Sequence, residues 1–323
     1  MSKGLVTVFG GSGFLGKHVV RALVKQGWRV RVPLRRPHTA QELKVIGNVG
    51  QVQLMQANIR FPKSVEQAVE GADAVINLVA LLAQAGRQNF EAVHVRGAEN
   101  IARAAAAQGI ANFVQVSSLG ADSQSESDYS RTKGQAEAIV SELVPRADIM
   151  RPSVIFGPED AFFNRFAAMS QIPKLLMPAL PLIGGGETKM QPVYAGDVAA
   201  AIAKVIGQGT SGKTYELGGP RIYSFKELMQ FTLGAVDRKR MLAPVPWFAA
   251  SALGFAGELS GKLPFVEPFL TRDQVIDLKR DNVVSDEALG FAELGLSLET
   301  LESIVPSYLE RYRKHGQFHE SHA

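Results

Sequence analysis

Gly10, Gly13 and Gly16 in "VTVFGGSGFLGKHVV" form a G-x-x-G-x-x-G run between an apolar stretch and an amphipathic one. A chain that turns this tightly from strand to helix, lies close to a pyrophosphate and packs the helix back on the strand needs positions without a Cβ. The helix N-terminus then offers free N–H groups and a positive dipole end to an anion. Phe14 and Leu15, between the second and third glycines, complete a predicted nucleotide-facing loop. This loop confines the first half of the chain to alternating strands and helices.

That alternation continues. "GLVTVFG", "WRVRVPL", "VQLMQA", "DAVINLVA" and "NFVQVSS" read as strands, with helices over residues 17–26, around 65–70 and over 90–108. The pattern predicts an α/β, doubly wound parallel sheet of Rossmann type with a smaller C-terminal α/β region. We expect a nucleotide-binding domain over residues 1–155, with residues near 190–220 returning to it. A smaller substrate- or partner-facing region would span 156–323, where glycine and proline are frequent, with a polar tail from about 313. "LIGGGE" resembles a phosphate loop, but lacks an adequate preceding strand and a following Lys-Ser/Thr pair, so a turn is expected.

Composition closes several routes. The absence of cysteine removes disulfides, thiolate nucleophiles and cysteine metal sites together. A net charge of +4, from 35 basic against 31 acidic residues, is too small to imply nucleic acid. His315, His319 and His322 share a helical spacing in the tail but have no partner carboxylate, so no metal is expected. No signal or transit peptide is visible, and no apolar run of spanning length occurs. The expected location is therefore cytoplasmic.

An NAD-type site places an acid about twenty residues beyond the glycine loop to bind the ribose hydroxyls. Here that place reads "LRRP", and Arg35 and Arg36 stand where an adenosine 2'-phosphate would lie. Charge-assisted hydrogen bonds of about 1.5–3 kcal/mol each would favour the phosphorylated cofactor by roughly tenfold to several hundredfold. NADP(H) is the expectation; the alternative is a solvated surface pair. Further on, Tyr129 and Lys133 form Y-x-x-x-K on one face of a helix, after Ser117 and Ser118 at a strand end. A tyrosine whose phenolate is stabilised by a lysine can exchange a proton with a substrate oxygen while a nicotinamide exchanges hydride. An exposed helical pair is the alternative.

With these motifs the sequence resembles the extended short-chain dehydrogenase/reductase superfamily. The resemblance implies Tyr129 as acid/base, Lys133 on the nicotinamide ribose and Ser118 or Ser117 on the substrate oxygen. It makes "INLVA", with Leu78, Val79 and Ala80, the strand end passing the cofactor. It likewise makes "RPSVIFGP", with Pro152, Ser153 and Val154, the loop closing over nicotinamide. Two positions depart from the pattern. Asn58, followed by Ile59, replaces an aspartate at the adenine, and His94 replaces a helical asparagine of the proton relay.

"RPSVIFGPEDAFFNRFA", "QPVYAGDVAAAI", "GGPRIYSFKEL" and "PFLTRDQV" are similar, more narrowly, to the dehydrogenase-like accessory subunit family of respiratory complex I (NADH:ubiquinone oxidoreductase) and its bacterial counterparts. That similarity implies a tightly held NADPH and attachment to complex I or a quinone-linked enzyme on the inner face of the membrane, in an accessory or assembly role. The alternative is an active NADPH-dependent reductase of an apolar carbonyl or quinone-related substrate, as in ubiquinone biosynthesis. Independently, residues 241–257 are uncharged and follow Arg238, Lys239 and Arg240. Trp247, Phe248, Leu253 and Phe255 could enter a lipid interface there, or form the second region's core. Pro244, Pro246 and Gly254 argue against a long straight helix.

Overall fold

The computed structural model describes residues 3–84, 86, 88–260, 270–314 and 316. The tail histidines and the start of "PFLTRDQV" lie outside the described residues. The chain divides into two compact units: residues 1–152, 195–217 and 285–297, and residues 153–194, 218–284 and 298–323.

In the first unit the strands are β1 (Leu5–Phe9), β2 (Arg29–Leu34), β3 (Val52–Gln56), β4 (Ala74–Asn77), β5 (Phe113–Val116), β6 (Asp148–Pro152) and β7 (Thr214–Leu217). They form one parallel sheet in the order β7-β6-β5-β4-β1-β2-β3. Every residue of β1, β4 and β5 is buried, the pattern of strands covered on both faces. The helices are α1 (Phe14–Lys25), α2 (Pro62–Val69), α3 (Arg96–Ala107), α4 (Asp128–Leu143) and α5 (Ala195–Gln208). Helix α1 packs against α5, and α3 packs between α2 and α4.

Two boundaries differ from the sequence reading. The first helix begins at Phe14 rather than Lys17, because the glycine loop passes straight into it and Gly16 is already helical. The expected helix over 90–108 opens with one π turn, Glu91–Val95, before α3.

The second unit is built around Phe156, Phe163, Leu180, Phe225, Leu228, Met229 and Val305. Its strands Ala179–Ile183 and Met241–Val245 pair in parallel. "LIGGGE" thus does follow a five-residue strand, contrary to expectation. It is nevertheless a turn: Gly184, Gly185 and Gly186 all take positive φ, and a Cβ on Gly184 would lie 2.1 Å from the Trp247 ring. Residues 241–257 are only partly core. Leu242, Val245 and Trp247 pack on the core, whereas Phe248, Leu253 and Phe255 are exposed. The helix Trp247–Ser260 also runs through Gly254, which the sequence reading treated as a break. Glycine is required there by packing: a Cβ would lie 2.8 Å from the Arg272 backbone nitrogen. No helix among the described residues is long and apolar enough to cross a membrane.

Candidate functional site

At the C-terminal end of β1 the backbone itself shapes a cradle. Gly10 has φ +81°, and a Cβ there would lie 3.1 Å from the Leu78 and Val79 backbone. The two strand ends are also tied directly, Leu78 N–H donating to the Phe9 carbonyl at 2.9 Å. Buried Asn77 fixes the next step: its Oδ1 accepts from Val79 N–H at 3.1 Å while its Nδ2 donates to Gln115 Oε1 at 2.9 Å. Helix α1 opens at Gly13 with no side-chain cap and no acid in its first turn. Its first N–H groups are therefore left to a ligand or water, the arrangement that suits a pyrophosphate. Phe14 and Leu15 lie half-buried on that turn.

Asn58 follows β3, where its Oδ1 accepts from Arg60 N–H at 3.1 Å. The neighbouring Ile59 carbonyl accepts from Asn100 Nδ2 at 2.8 Å, and Ile59 packs where a side chain on Gly97 would stand. Asn100 is a positioning residue that sequence reasoning missed. Its signal was only a half-buried asparagine on a helix whose buried residues are glycine, alanine and isoleucine.

Tyr129 and Lys133 come together on α4, with Lys133 Nζ 5.9 Å from the tyrosine ring centroid. The Lys133 ammonium is buried and donates to the Val116 carbonyl at 3.2 Å, beside Ser117 and Ser118. Burial pulls its pKa down to about 8, with partial opposition from Glu137. Glu137 is already engaged: Arg151 binds it through two nitrogens, at 3.0 and 2.6 Å. The Oγ atoms of Ser117 and Ser118 are buried without a hydrogen-bond partner. Each unsatisfied hydroxyl costs about 1–3 kcal/mol, a cost that a ligand oxygen would offset.

His94 lies on the π turn, stacked on Phe90 at 5.1 Å and edge-on to Tyr129 at 5.5 Å. Its Nε2 accepts from Leu81 N–H at 2.9 Å, so the ring proton resides on Nδ1, 3.0 Å from Thr132 Oγ1. Thr132 in turn donates to the Asp128 carbonyl at 2.8 Å. Burial first, then the Lys133 charge, lower the imidazole pKa to about 3. The ring is thus a neutral strut with both nitrogens committed, and the chain of bonds ends on a backbone carbonyl.

Pro152 ends β6 in the first unit, where its carbonyl accepts from Leu119 N–H at 3.0 Å, next to Ser118. Ser153 and Val154 belong to the second unit, where Ser153 Oγ bonds Asn282 Oδ1 at 2.5 Å and Val154 packs on the core. Arg35 and Arg36 are exposed in the turn after β2.

The family model described as "NAD dependent epimerase/dehydratase family" matches residues 6–218. The NADH dehydrogenase [ubiquinone] 1 alpha subcomplex subunit 9 of Arabidopsis thaliana is 37% identical over 97% of this chain and 79% of its own length. The NADH-ubiquinone oxidoreductase 40 kDa subunit of Neurospora crassa is 31% identical over 97% and 80%. Among solved structures, DesIV from Streptomyces venezuelae, a dTDP-glucose 4,6-dehydratase with NAD bound, superimposes with a TM-score of 0.69 at 18% identity, covering 96% of this chain and 97% of that one.

These findings overturn the expectation of NADP(H). The matching family is NAD-dependent by description, and DesIV carries NAD on this fold. The same fold also serves an Escherichia coli quinone oxidoreductase solved with NADPH, so the fold does not itself select the phosphorylated form. The physical reason lies in the exposed turn. Charge pairs formed in full solvent contribute about 0–1 kcal/mol, well below the shielded bonds assumed for Arg35 and Arg36.

Proposed function

The chain belongs to the NAD dependent epimerase/dehydratase family, and from that premise we propose that it holds NAD as a standing part of its first unit. In this reading it is an accessory or assembly-type component of a membrane NADH:quinone oxidoreductase, lying peripherally on the inner face of the membrane. The observation that carries the proposal is the 37% identity to the Arabidopsis subunit over 97% of the chain. That similarity extends through the second unit, beyond residue 218 where the family model stops.

The cradle fits a dinucleotide. Gly10, Gly13, Gly16 and the start of α1 would hold the pyrophosphate, Asn58 and Ile59 would flank the adenosine, and Lys133 would meet the nicotinamide ribose. When bound, the nicotinamide supplies hydride exchange. The chain's own groups favour holding over turnover. His94, with both ring nitrogens engaged by Leu81 and Thr132, is not free to relay a proton for Tyr129.

The deciding measurement is native-gel migration of detergent-solubilised membranes from the protein's own cells, with the nucleotide content of the recovered band determined. We expect co-migration with the NADH:quinone oxidoreductase and one retained NAD per chain. A free species with readily exchanged nucleotide would refute the accessory role.

A second reading, a reductase of an apolar carbonyl or quinone-related substrate, draws on the two unpartnered hydroxyls of Ser117 and Ser118. It requires that Tyr129→Phe lower the turnover of a candidate carbonyl by at least about a hundredfold, the scale of general acid catalysis. In the accessory reading the same variant keeps both its NAD and its position on the gel.

A further inference from the structure

A groove of about 820 Å³ in the second unit is lined by Lys174, Lys226, Arg238, Lys239 and Arg240 and by no aspartate or glutamate. None of the five forms an ion pair with a described carboxylate. Two are held in place by neutral groups. Arg240 donates to the carbonyls of Ser170 at 3.3 Å, Ile172 at 2.6 Å and Met177, while its Nε is buried without a partner. Arg238 donates to the Tyr312 carbonyl at 3.1 Å. Carbonyls orient these guanidinium groups without cancelling their charge. Low-dielectric walls then focus the resulting field on whatever enters the groove.

The surroundings favour an amphiphile over a soluble anion. Met241 lines the groove and is 73% exposed, while Leu175 and Leu176, next to Lys174, are 94% and 76% exposed. The strand Met241–Val245 leads directly into the helix Trp247–Ser260, on which Phe248, Phe255 and Leu259 recur at i, i+7 and i+11, all exposed. That helix's one charge, Glu258, is paired with Arg272. Cationic side chains beside exposed aromatic and aliphatic ones match the boundary between phosphate headgroups and acyl chains.

We propose that the second unit docks on an anionic phospholipid surface, its basic groove receiving headgroup phosphates while Met241 and the exposed face of the following helix meet the acyl boundary. The proposal rests on the peripheral placement above, but not on the identity of the protein partner.

The test is sedimentation of the full chain with phosphatidylcholine vesicles, with and without a minority of phosphatidylglycerol. Binding is expected only to the anionic vesicles. The triple variant Lys174→Gln, Lys226→Gln, Lys239→Gln should bind them about a hundredfold more weakly, because each basic residue near such a surface contributes roughly fivefold. All three lysines are exposed, so the melting temperature should not change. Equal binding to neutral vesicles, or a triple variant that binds like wild type, would overturn the proposal. So would binding of inorganic phosphate in the groove with no retention on vesicles. Retention in the native-gel band without vesicle binding refutes the groove alone; vesicle binding by a chain absent from that band refutes the accessory role alone.

Discussion

Gly16→Ala is expected to abolish dinucleotide binding, reducing affinity by at least about a hundredfold in a calorimetric titration, and to lower the melting temperature. The added methyl would lie 2.2 Å from the Gly10 carbonyl oxygen and 2.6 Å from Gly11 backbone atoms. The loop has little room around it: a Cβ on Gly10 would lie 3.1 Å from the Leu78 and Val79 backbone, and one on Gly11 2.9 Å from the Val32 side chain. Overpacking of this kind costs about 1–3 kcal/mol before any ligand is considered, and the strain falls on the turn that would receive the pyrophosphate. Gly13→Ala is the internal comparison. Its φ is −78°, and the nearest atom to a new Cβ is 3.3 Å away, so a loss under about tenfold is expected. A Gly16→Ala protein that binds NAD like wild type would remove the loop from the binding site.

Acid should destabilise the protein through His94. Its folded pKa of about 3 lies below the ordinary 6.5, so between those values the unfolded chain binds the extra proton. Stability from this residue is therefore complete above about pH 6.5 and is lost as pH falls toward 3. The slope approaches about 1.4 kcal/mol per pH unit, giving roughly 2 kcal/mol between pH 6 and pH 4. Many carboxylates titrate in the same window, so the measurement is a difference. Urea unfolding of wild type and His94→Gln should show a stability gap in favour of wild type at pH 7 that narrows by about 3 kcal/mol at pH 4. A gap independent of pH would mean that His94 is not held neutral. Lys133 acts in another window: its folded pKa of about 8 lies below 10.5, so its burial penalty is relieved as pH rises between the two.

Much of the first unit is legible because its signals are local. A glycine triplet between an apolar run and an amphipathic one, and a tyrosine and lysine one helical turn apart, need no knowledge of the rest of the chain. What escaped depends on distant partners. The neutral state of His94 follows from its burial and from the Lys133 charge, and its tautomer from Leu81 N–H, thirteen residues back in the chain. Asn100 looks like any helical asparagine until the Ile59 carbonyl is seen beneath it. Gly254 reads as a helix breaker, yet serves close packing against Arg272. The arginine pair after β2 shows the opposite failure. Its charge was plain in the sequence, but its exposure, which sets the strength of a phosphate contact, was not.

The order in which the sheet is assembled also bears on how the chain is made. Strand β6 ends at residue 152, but its outer neighbour β7 begins only at Thr214, and α5, which packs on α1, lies just before it. During synthesis β6 therefore remains an unpaired edge while more than sixty further residues, including the first stretch of the second unit, leave the ribosome. An open edge on a parallel sheet is a template for wrong pairing. A nascent chain stalled between residues 153 and 213 should be the form most dependent on chaperones, and a gene truncated there should yield inclusion bodies rather than a free nucleotide-binding domain.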